Sequence, residues 1–180
     1  SNTTGTSNVA MGSGALDANT TASNNTAIGA EALGANITGA DNTAVGKTAL
    51  NSNTTGADNT ALGGSAMYAN TTGGQNVAIG VGSLDANTTA SNNNAVGNLA
   101  LSADTTGSSN VADGANAAAA STGVGNTALG ESALAAANTA NYNTAVGNSA
   151  LASNTSGSAN VAVGRNVLNA NVTGDGNTAI

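Results

Sequence analysis

The chain has 180 residues, of which 39% are hydrophobic, 1% are aromatic and 6% are charged, and its formal net charge is −7. Because the chain contains no histidine and no cysteine, histidine-dependent catalytic triads and soft-metal sites are excluded. The basic residues, Lys47 and Arg165, are too few to neutralise a nucleic-acid backbone, and no apolar run approaches the roughly 20 residues that span a membrane. We therefore expect no nucleic-acid partner and no membrane span.

A short repeat that starts with the motif Asn-x-Ala-apolar-Gly organises the chain. Successive copies follow one another at a constant spacing, except that the step from Asn110 to Asn126 is shorter by one position. The copies begin at Asn8, Asn25, Asn42, Asn59, Asn76, Asn93, Asn110, Asn126, Asn143, Asn160 and Asn177. A fixed short period predicts one structural unit stacked on itself, so residues 1–180 are interpreted as a single repeat array. Since neither end has a polar cap, we expect the array to be a segment of a longer protein.

The first predicted element of each repeat is a short strand, which starts at position 2 when the leading Asn is position 1. Position 3 is always Ala, position 2 is Thr, Val or Asn, and position 4 is apolar in every copy except at Asp113. β-Branched residues that alternate with a small residue predict a strand of about four residues. Position 5 is Gly in every copy that reaches it, which indicates a positive φ or a backbone approach too close for a Cβ.

Two further arms follow the strand in each repeat. The Ala-Leu pair at positions 8 and 9, with Leu50 as an example, predicts a core column of Leu on a mostly extended second arm. An Asn-x-Thr triplet at positions 12 to 14 forms the third arm, and Ile37 and Val172 at its middle position predict that this residue points inward. Position 15 is either Gly, as at Gly39, or Ala, as at Ala22, so we expect a restriction of size rather than of dihedral angle.

A circuit of short arms with Gly corners predicts an all-β fold, a parallel β-solenoid of ten 17-residue coils with ladders of Asn and Thr. At about 4.8 Å per coil, the rod would be about 50 Å long. One face of the strand must form the coil interior, and the other carries the unvarying Ala column. The constancy of Ala predicts close packing of that column against another chain. The alternative interpretation is that Ala fits a tight coil by itself.

The strand motif resembles that of a known family. Asn76-Val77-Ala78-Ile79-Gly80 is similar to repeats in the heads of trimeric autotransporter adhesins, the YadA-like left-handed parallel β-roll. The longer unit from Asn42 to Gly56 resembles repeats in the shafts of phage tail fibres and bacterial surface fibres. The resemblance covers essentially the whole chain, although the adhesin-head period is shorter. It implies a homotrimer of side-by-side rolls that extends and attaches, on a cell surface or in a virion fibre.

The acidic residues form no catalytic pattern, because the nine carboxylates fall at several repeat positions. Asp41 and Asp58 share one position on adjacent coils, where two solvated acids are favoured over a bound cation. Asp113 stands in the 16-residue repeat, in which Ala118 replaces the usual Leu. We expect Asp113 to turn out of the apolar column or to meet a backbone donor; the alternative is a cation shared by three chains. We assign no catalytic, cofactor-binding or metal-binding residue and expect that the protein is not an enzyme.

These patterns predict a structural or adhesive extracellular fibre segment, a rigid rod that extends or presents a binding tip. Its partners would be further copies of the chain, in a homotrimer or filament, and a receptor on a cell or host surface. The alternative is an ice-binding or other surface-binding solenoid, since regular Thr columns on a flat solenoid can present an ice-binding face. The Thr column at position 2 is interrupted, by Val77 and Asn94 among others, and this favours the fibre.

Overall fold

The structure is a computed structural model that describes residues 2–136 and 139–180. The strands are β1 (Val9–Met11), β2 (Thr26–Ile28), β3 (Thr43–Val45), β4 (Thr60–Leu62), β5 (Val77–Ile79), β6 (Asn94–Val96), β7 (Val111–Asp113), β8 (Thr127–Leu129), β9 (Thr144–Val146), β10 (Val161–Val163) and β11 (Thr178–Ala179). They form one eleven-stranded sheet in sequence order. No helix occurs in the described ranges, and accordingly none there could cross a membrane.

The strands pair in parallel, and the same register repeats from coil to coil. Ala44 pairs with Ala61, and Ala61 pairs with Ala78. The register continues across the 16-residue coil, where Asp113 pairs with Leu129. Each repeat therefore contributes one rung to a single sheet, which confirms the predicted all-β parallel β-solenoid of stacked 17-residue coils. The full strands have three residues rather than about four, because the glycine at position 5 leaves the extended conformation.

The Ala column lies inside the solenoid, so the prediction that it packs against another chain is wrong. Ala27, Ala44 and Ala61 are completely buried within the single chain, whereas their neighbours at positions 2 and 4 are partly exposed. Successive strand side chains point to opposite faces, so the inward methyl column places the larger β-branched side chains outside. Ala fits a tight coil by itself, as the alternative interpretation stated.

The second arm consists of consecutive turns and not of the extended chain that the sequence predicted. Leu33 N donates to Ala49 O of the next coil at 3.0 Å, whereas Ala32 N donates to Gly29 O of its own coil at 3.3 Å. Positions 7 and 9 both have positive φ, 60° at Glu31 and 50° at Leu33. A left-handed backbone costs a non-glycine residue about 1–2 kcal/mol, and burial of a Leu side chain contributes about 1.5–3 kcal/mol. Burial of Leu33 offsets that cost, and the predicted Leu core column is confirmed.

The residues at positions 5 and 15 are restricted for different reasons, as predicted. Gly63 at position 5 has a φ of +140°, and a Cβ there would lie 2.5 Å from Gly80 O. Gly39 at position 15 has no positive φ, but a Cβ there would lie 2.7 Å from Asn36 Oδ1. The first position is therefore restricted in both dihedral angle and space, and the second in space alone.

The middle residue of the third arm points outward, contrary to the prediction. Ile37 and Val172 are 44% and 47% exposed, whereas Asn36, which precedes Ile37, is completely buried. Asn36 Nδ2 donates to Gly39 O at 2.9 Å and to Asn19 Oδ1 at 3.2 Å. Because these bonds satisfy its donor group, the amide avoids the penalty of an unpaired buried polar group. The interior of this arm is therefore polar, and the apolar side chains at position 13 remain at the surface.

The coil that starts at Asn110 has 16 residues instead of 17, and the missing residue belongs to the third arm. Ser121 keeps position 12, since its N donates to Ala118 O at 2.9 Å, and Thr122 alone replaces the usual pair of residues before Gly123. Ala118 is buried in the Leu column. Asp113 does not turn out of the position-4 column as predicted: it stays in register with Val96 and Leu129, and that column itself faces outward. The desolvation penalty expected for an inward-facing Asp113 therefore does not arise.

Candidate functional site

The outer strand face, defined as the side chains at positions 2 and 4 of the eleven strands, is a regular surface of the described chain. Ile79, Leu129 and Val163 on this face are exposed. Asp113 carries the only charge in these two columns of the sequence. Strand pairing holds both columns in register along the whole sheet. The position-4 column is apolar apart from Asp113, whereas position 2 is mostly Thr or Val. A column of exposed apolar side chains is typical of an interaction site.

The structure places the acids that the sequence singled out at the surface. Asp41 and Asp58 are exposed on adjacent coils, and Asn24 Nδ2 donates to Asp41 Oδ1 at 3.1 Å. Within residues 2–136 and 139–180, no three Asp or Glu side chains are grouped as metal ligands, and no pocket is found. Asp41 and Asp58 thus lie in the described structure as exposed carboxylates on adjacent coils.

A buried column of Asn side chains at position 1 joins successive coils. Asn76 N and Asn76 Nδ2 both donate to Asn59 Oδ1, each at 3.1 Å, and Asn76 Nδ2 also donates to Ala90 O at 2.9 Å. Asn76 Oδ1 in turn accepts from Asn93 N at 2.9 Å. Each amide thus acts as donor and acceptor at once, which an aspartate or an aliphatic residue cannot do. The column fixes the spacing of the coils from inside.

A second buried column, at position 12, uses the same chemistry. Asn70 Nδ2 donates to Asn53 Oδ1 at 2.8 Å and to Gly73 O at 3.0 Å. The bond along the column continues to Asn87, whose Nδ2 donates to Asn70 Oδ1 at 2.8 Å. The Asn-x-Thr triplets are therefore explained by the fold, since their Asn is an internal hydrogen-bonding residue.

Asp104 interrupts the position-12 column, and sequence reasoning did not single it out. It is completely buried; its Oδ1 accepts from Gly107 N at 2.7 Å and its Oδ2 accepts from Asn110 Nδ2 at 3.1 Å. The preceding and following members of the column, Asn87 Oδ1 and Ser121 Oγ, are buried without a hydrogen-bond partner. An ionised carboxylate has no proton to donate to Asn87 Oδ1. The sequence signal was present, because Asp104 stands where most triplets have Asn.

We expect the stability of the protein to rise as the pH falls from 6 to 4. Burial raises the pKa of Asp104 from 3.8 to about 6, and the bonds from Gly107, Asn110 and Thr106 only partly oppose this. The folded state therefore binds the proton more tightly than the unfolded state, so stability is greatest below pH 3.8 and is lost as the pH rises to about 6. At about 1.4 kcal/mol per pKa unit, the loss is about 2 to 3 kcal/mol. Urea unfolding at pH 4 and pH 7 measures it.

The Asp104→Asn variant is the control for this pH dependence. Its amide can donate to Asn87 Oδ1, so we expect higher stability than the parent at pH 7 and a flatter pH profile. Burial also raises the pKa of Asp85, and its contribution remains in the variant, so the difference between the two profiles isolates Asp104. Parallel profiles for the two proteins would show that Asp104 does not titrate in this way.

Comparisons with known proteins identify no protein that is similar to this chain. No model of a protein family, no curated protein and no solved structure matches the chain. What is established is the fold, a single-sheet parallel β-solenoid of about ten coils with two buried amide columns.

Proposed function

We propose that the chain is a structural or adhesive fibre segment, in which solenoids associate side by side into a homotrimer or filament. The work of this rod is to extend and to present a binding tip to a cell or host surface, in an extracellular or virion-borne fibre. No substrate is turned over, in keeping with a sequence that lacks histidine and cysteine.

The outer strand face is the observation that carries this proposal. It presents exposed Ile79, Leu129 and Val163 in columns that are uncharged apart from Asp113. Association of copies through this face removes apolar side chains from water, at roughly 25 cal/mol for each Å² of apolar surface. The Ala column, which first suggested a second chain, contributes nothing to this argument because it is internal.

The buried amide columns support the mechanical part of the proposal. Each coil is bonded to the next through the backbone sheet and through side chains such as Asn70 and Asn76. A stack in which every unit is bound only to its neighbours resists bending through the sum of those contacts. The resemblance of Asn76 to Gly80 to adhesin-head and tail-fibre repeats favours the same role.

Replacement of Ile79 by Lys tests the association. We expect the parent chain to sediment as a multimer, three times the monomer mass for a trimer, and the Ile79→Lys variant to sediment as a folded monomer. The cause is the cost of burying an unpaired ammonium group in an apolar interface. Sedimentation equilibrium measures the mass, and far-UV circular dichroism verifies the fold.

The matched control is Tyr68→Lys, which adds the same charge at an exposed residue off the outer strand face. This variant should keep the mass of the parent. A parent chain that is a folded monomer at all concentrations would refute association through this face, as would an equal loss of mass in both variants.

A further inference from the structure

Asp104 places a carboxylate at the point of the position-12 column where a regular coil has an amide donor. In a regular coil, Asn70 Nδ2 donates to Asn53 Oδ1 of the preceding coil at 2.8 Å. The corresponding acceptor before Asp104 is Asn87 Oδ1, which is buried and has no hydrogen-bond partner. The column therefore sets two acceptors against each other, and a protonated Asp104 supplies the missing hydrogen.

The two carboxylate oxygens of Asp104 have different partners. Oδ1 accepts from Gly107 N at 2.7 Å, as Asn154 Oδ1 accepts from Gly157 N at 3.1 Å in a regular coil. Oδ1 thus keeps the role of the Asn oxygen. Oδ2, which accepts from Asn110 Nδ2 at 3.1 Å, takes the place of the amide nitrogen. The proton that completes the column therefore belongs on Oδ2.

The groups around Asp104 carry no charge. They are the side chain of Asn87 on the preceding coil, Gly107 at its own corner, and Asn110 and Ser121 on the following coil. Burial is the largest cause of its raised pKa, hydrogen bonds oppose it, and no charged group of the described chain contributes. The acids of the two neighbouring coils, Asp85 and Asp113, lie on the second arm and on the outer strand face. Burial and the column therefore control the proton, without an ion pair.

The third arm that contains Asp104, residues 104–106, is weakly bonded to the coil that follows. In a regular coil, Thr54 N donates to Thr71 O of the following coil at 2.9 Å. Thr105 N, at the same position, makes no hydrogen bond within the described chain. Ser121 Oγ, at position 12 of the following coil, is buried without a partner. The shortened coil thus provides little to hold this arm.

The preceding coil and the strand side of the same coil are better bonded. Thr88 N and Thr88 Oγ1 donate to Thr105 O at 3.1 and 3.0 Å. On the strand side, Asn94 N donates to Asn110 O at 2.8 Å, and β6 and β7 pair in register. Segments with few bonds open separately from the rest of a protein. The arm can therefore leave the preceding coil while the sheet remains intact.

We propose that Asp104 is a proton-operated latch that holds residues 104–106 against the preceding coil. With a proton on Oδ2, Asp104 donates to Asn87 Oδ1 and the arm is closed. When that proton passes to solvent, two acceptors oppose each other, the carboxylate turns toward water, and the arm opens while β6 and β7 stay paired. The latch does not use the outer strand face, so it goes beyond the fibre role and is tested separately from it.

The latch closes in acid and opens near neutral pH. At pH 7, one unit above the pKa of about 6, roughly one molecule in ten keeps the proton on Asp104. At pH 5, roughly nine molecules in ten keep it. The change is local, which distinguishes it from the pH dependence of the whole fold.

Amide hydrogen exchange, followed residue by residue by NMR and corrected for the intrinsic effect of pH, tests the latch. We expect the Thr88 amide of the parent chain to exchange about tenfold faster at pH 7 than at pH 5, in proportion to the open population. The Asn94 amide of the sheet should keep its protection at both pH values. In Asp104→Asn, which restores the residue of the regular coils, Thr88 should be equally protected at both.

The matched control is Asp113→Asn, which removes an exposed acid from the following coil. This variant should keep the pH dependence of the Thr88 amide. Equal exchange of Thr88 at pH 5 and pH 7 in the parent overturns the proposal, as does a pH dependence that survives in Asp104→Asn. Loss of protection at Asn94 together with Thr88 also overturns it, since the arm would then not open separately from the sheet.

Discussion

Asn76→Ala is expected to lower the free energy of unfolding by about 3 to 5 kcal/mol, because it removes one link of a buried hydrogen-bonded column. The variant loses the bonds from Asn76 Nδ2 to Asn59 Oδ1 and Ala90 O. It also leaves Asn93 N, which donates to Asn76 Oδ1 at 2.9 Å, without its partner in the interior. An unsatisfied buried donor alone costs about 1 to 3 kcal/mol. Urea unfolding followed by circular dichroism measures the loss.

Asn94→Ala is the matched control for this experiment. Asn94 is exposed at position 2, where other coils have Thr or Val. A surface replacement of this kind changes stability by no more than about 0.5 kcal/mol. If Asn76→Ala and Asn94→Ala shift the urea midpoint equally, the internal amide columns do not hold the coils together.

Gly63→Ala is expected to destabilise the solenoid by about 3 kcal/mol or more, since it combines backbone strain with a steric clash. Gly63 has a φ of +140°, and a Cβ there would lie 2.5 Å from Gly80 O and 2.6 Å from Gly80 C. These atoms belong to the backbone of the next coil, so the added methyl group can be accommodated only if the two coils separate. Thermal unfolding should show a markedly lower melting temperature than that of the parent.

The adjacent glycine provides the control. A Cβ at Gly64 would meet no atom within 4 Å, and its φ is not positive. Gly64→Ala should therefore be neutral or stabilise the protein by about 0.4–1 kcal/mol, since Ala reduces the entropy of the unfolded chain. Similar melting temperatures for Gly63→Ala and Gly64→Ala would contradict the close approach of successive coils at position 5.

The period and the composition of the repeat were sufficient to predict the stacked coils. Constant Ala two residues before constant Gly located the strand and its end, and the Leu column was correctly placed inside. The orientation of the strand was predicted wrongly, because apolar residues stand on both of its faces. The rule that polar residues lie outside also failed at Asn36, whose amide is satisfied inside the coil.

The sequence indicates only some of the repeat positions that adopt a positive φ in the turns. Position 7 includes Gly14 and Gly82, and position 17 includes Gly125 and Gly176, which are the residues that tolerate positive φ most readily. Position 9 carries Leu or another apolar residue and gives no such signal, because its burial rather than its backbone preference decides the conformation.

Methyl-to-methyl contacts along the Ala column test the stacked coils most directly. In a uniformly labelled sample, nuclear Overhauser spectroscopy should connect the methyl group of Ala112 with those of Ala95 and Ala128, its strand partners on the preceding and following coils. Parallel in-register strands at about 4.8 Å bring these methyl groups within range. Contacts with both of these partners are the predicted result; their absence, or contacts of the Ala112 methyl group with alanines of more distant coils instead, would contradict the solenoid.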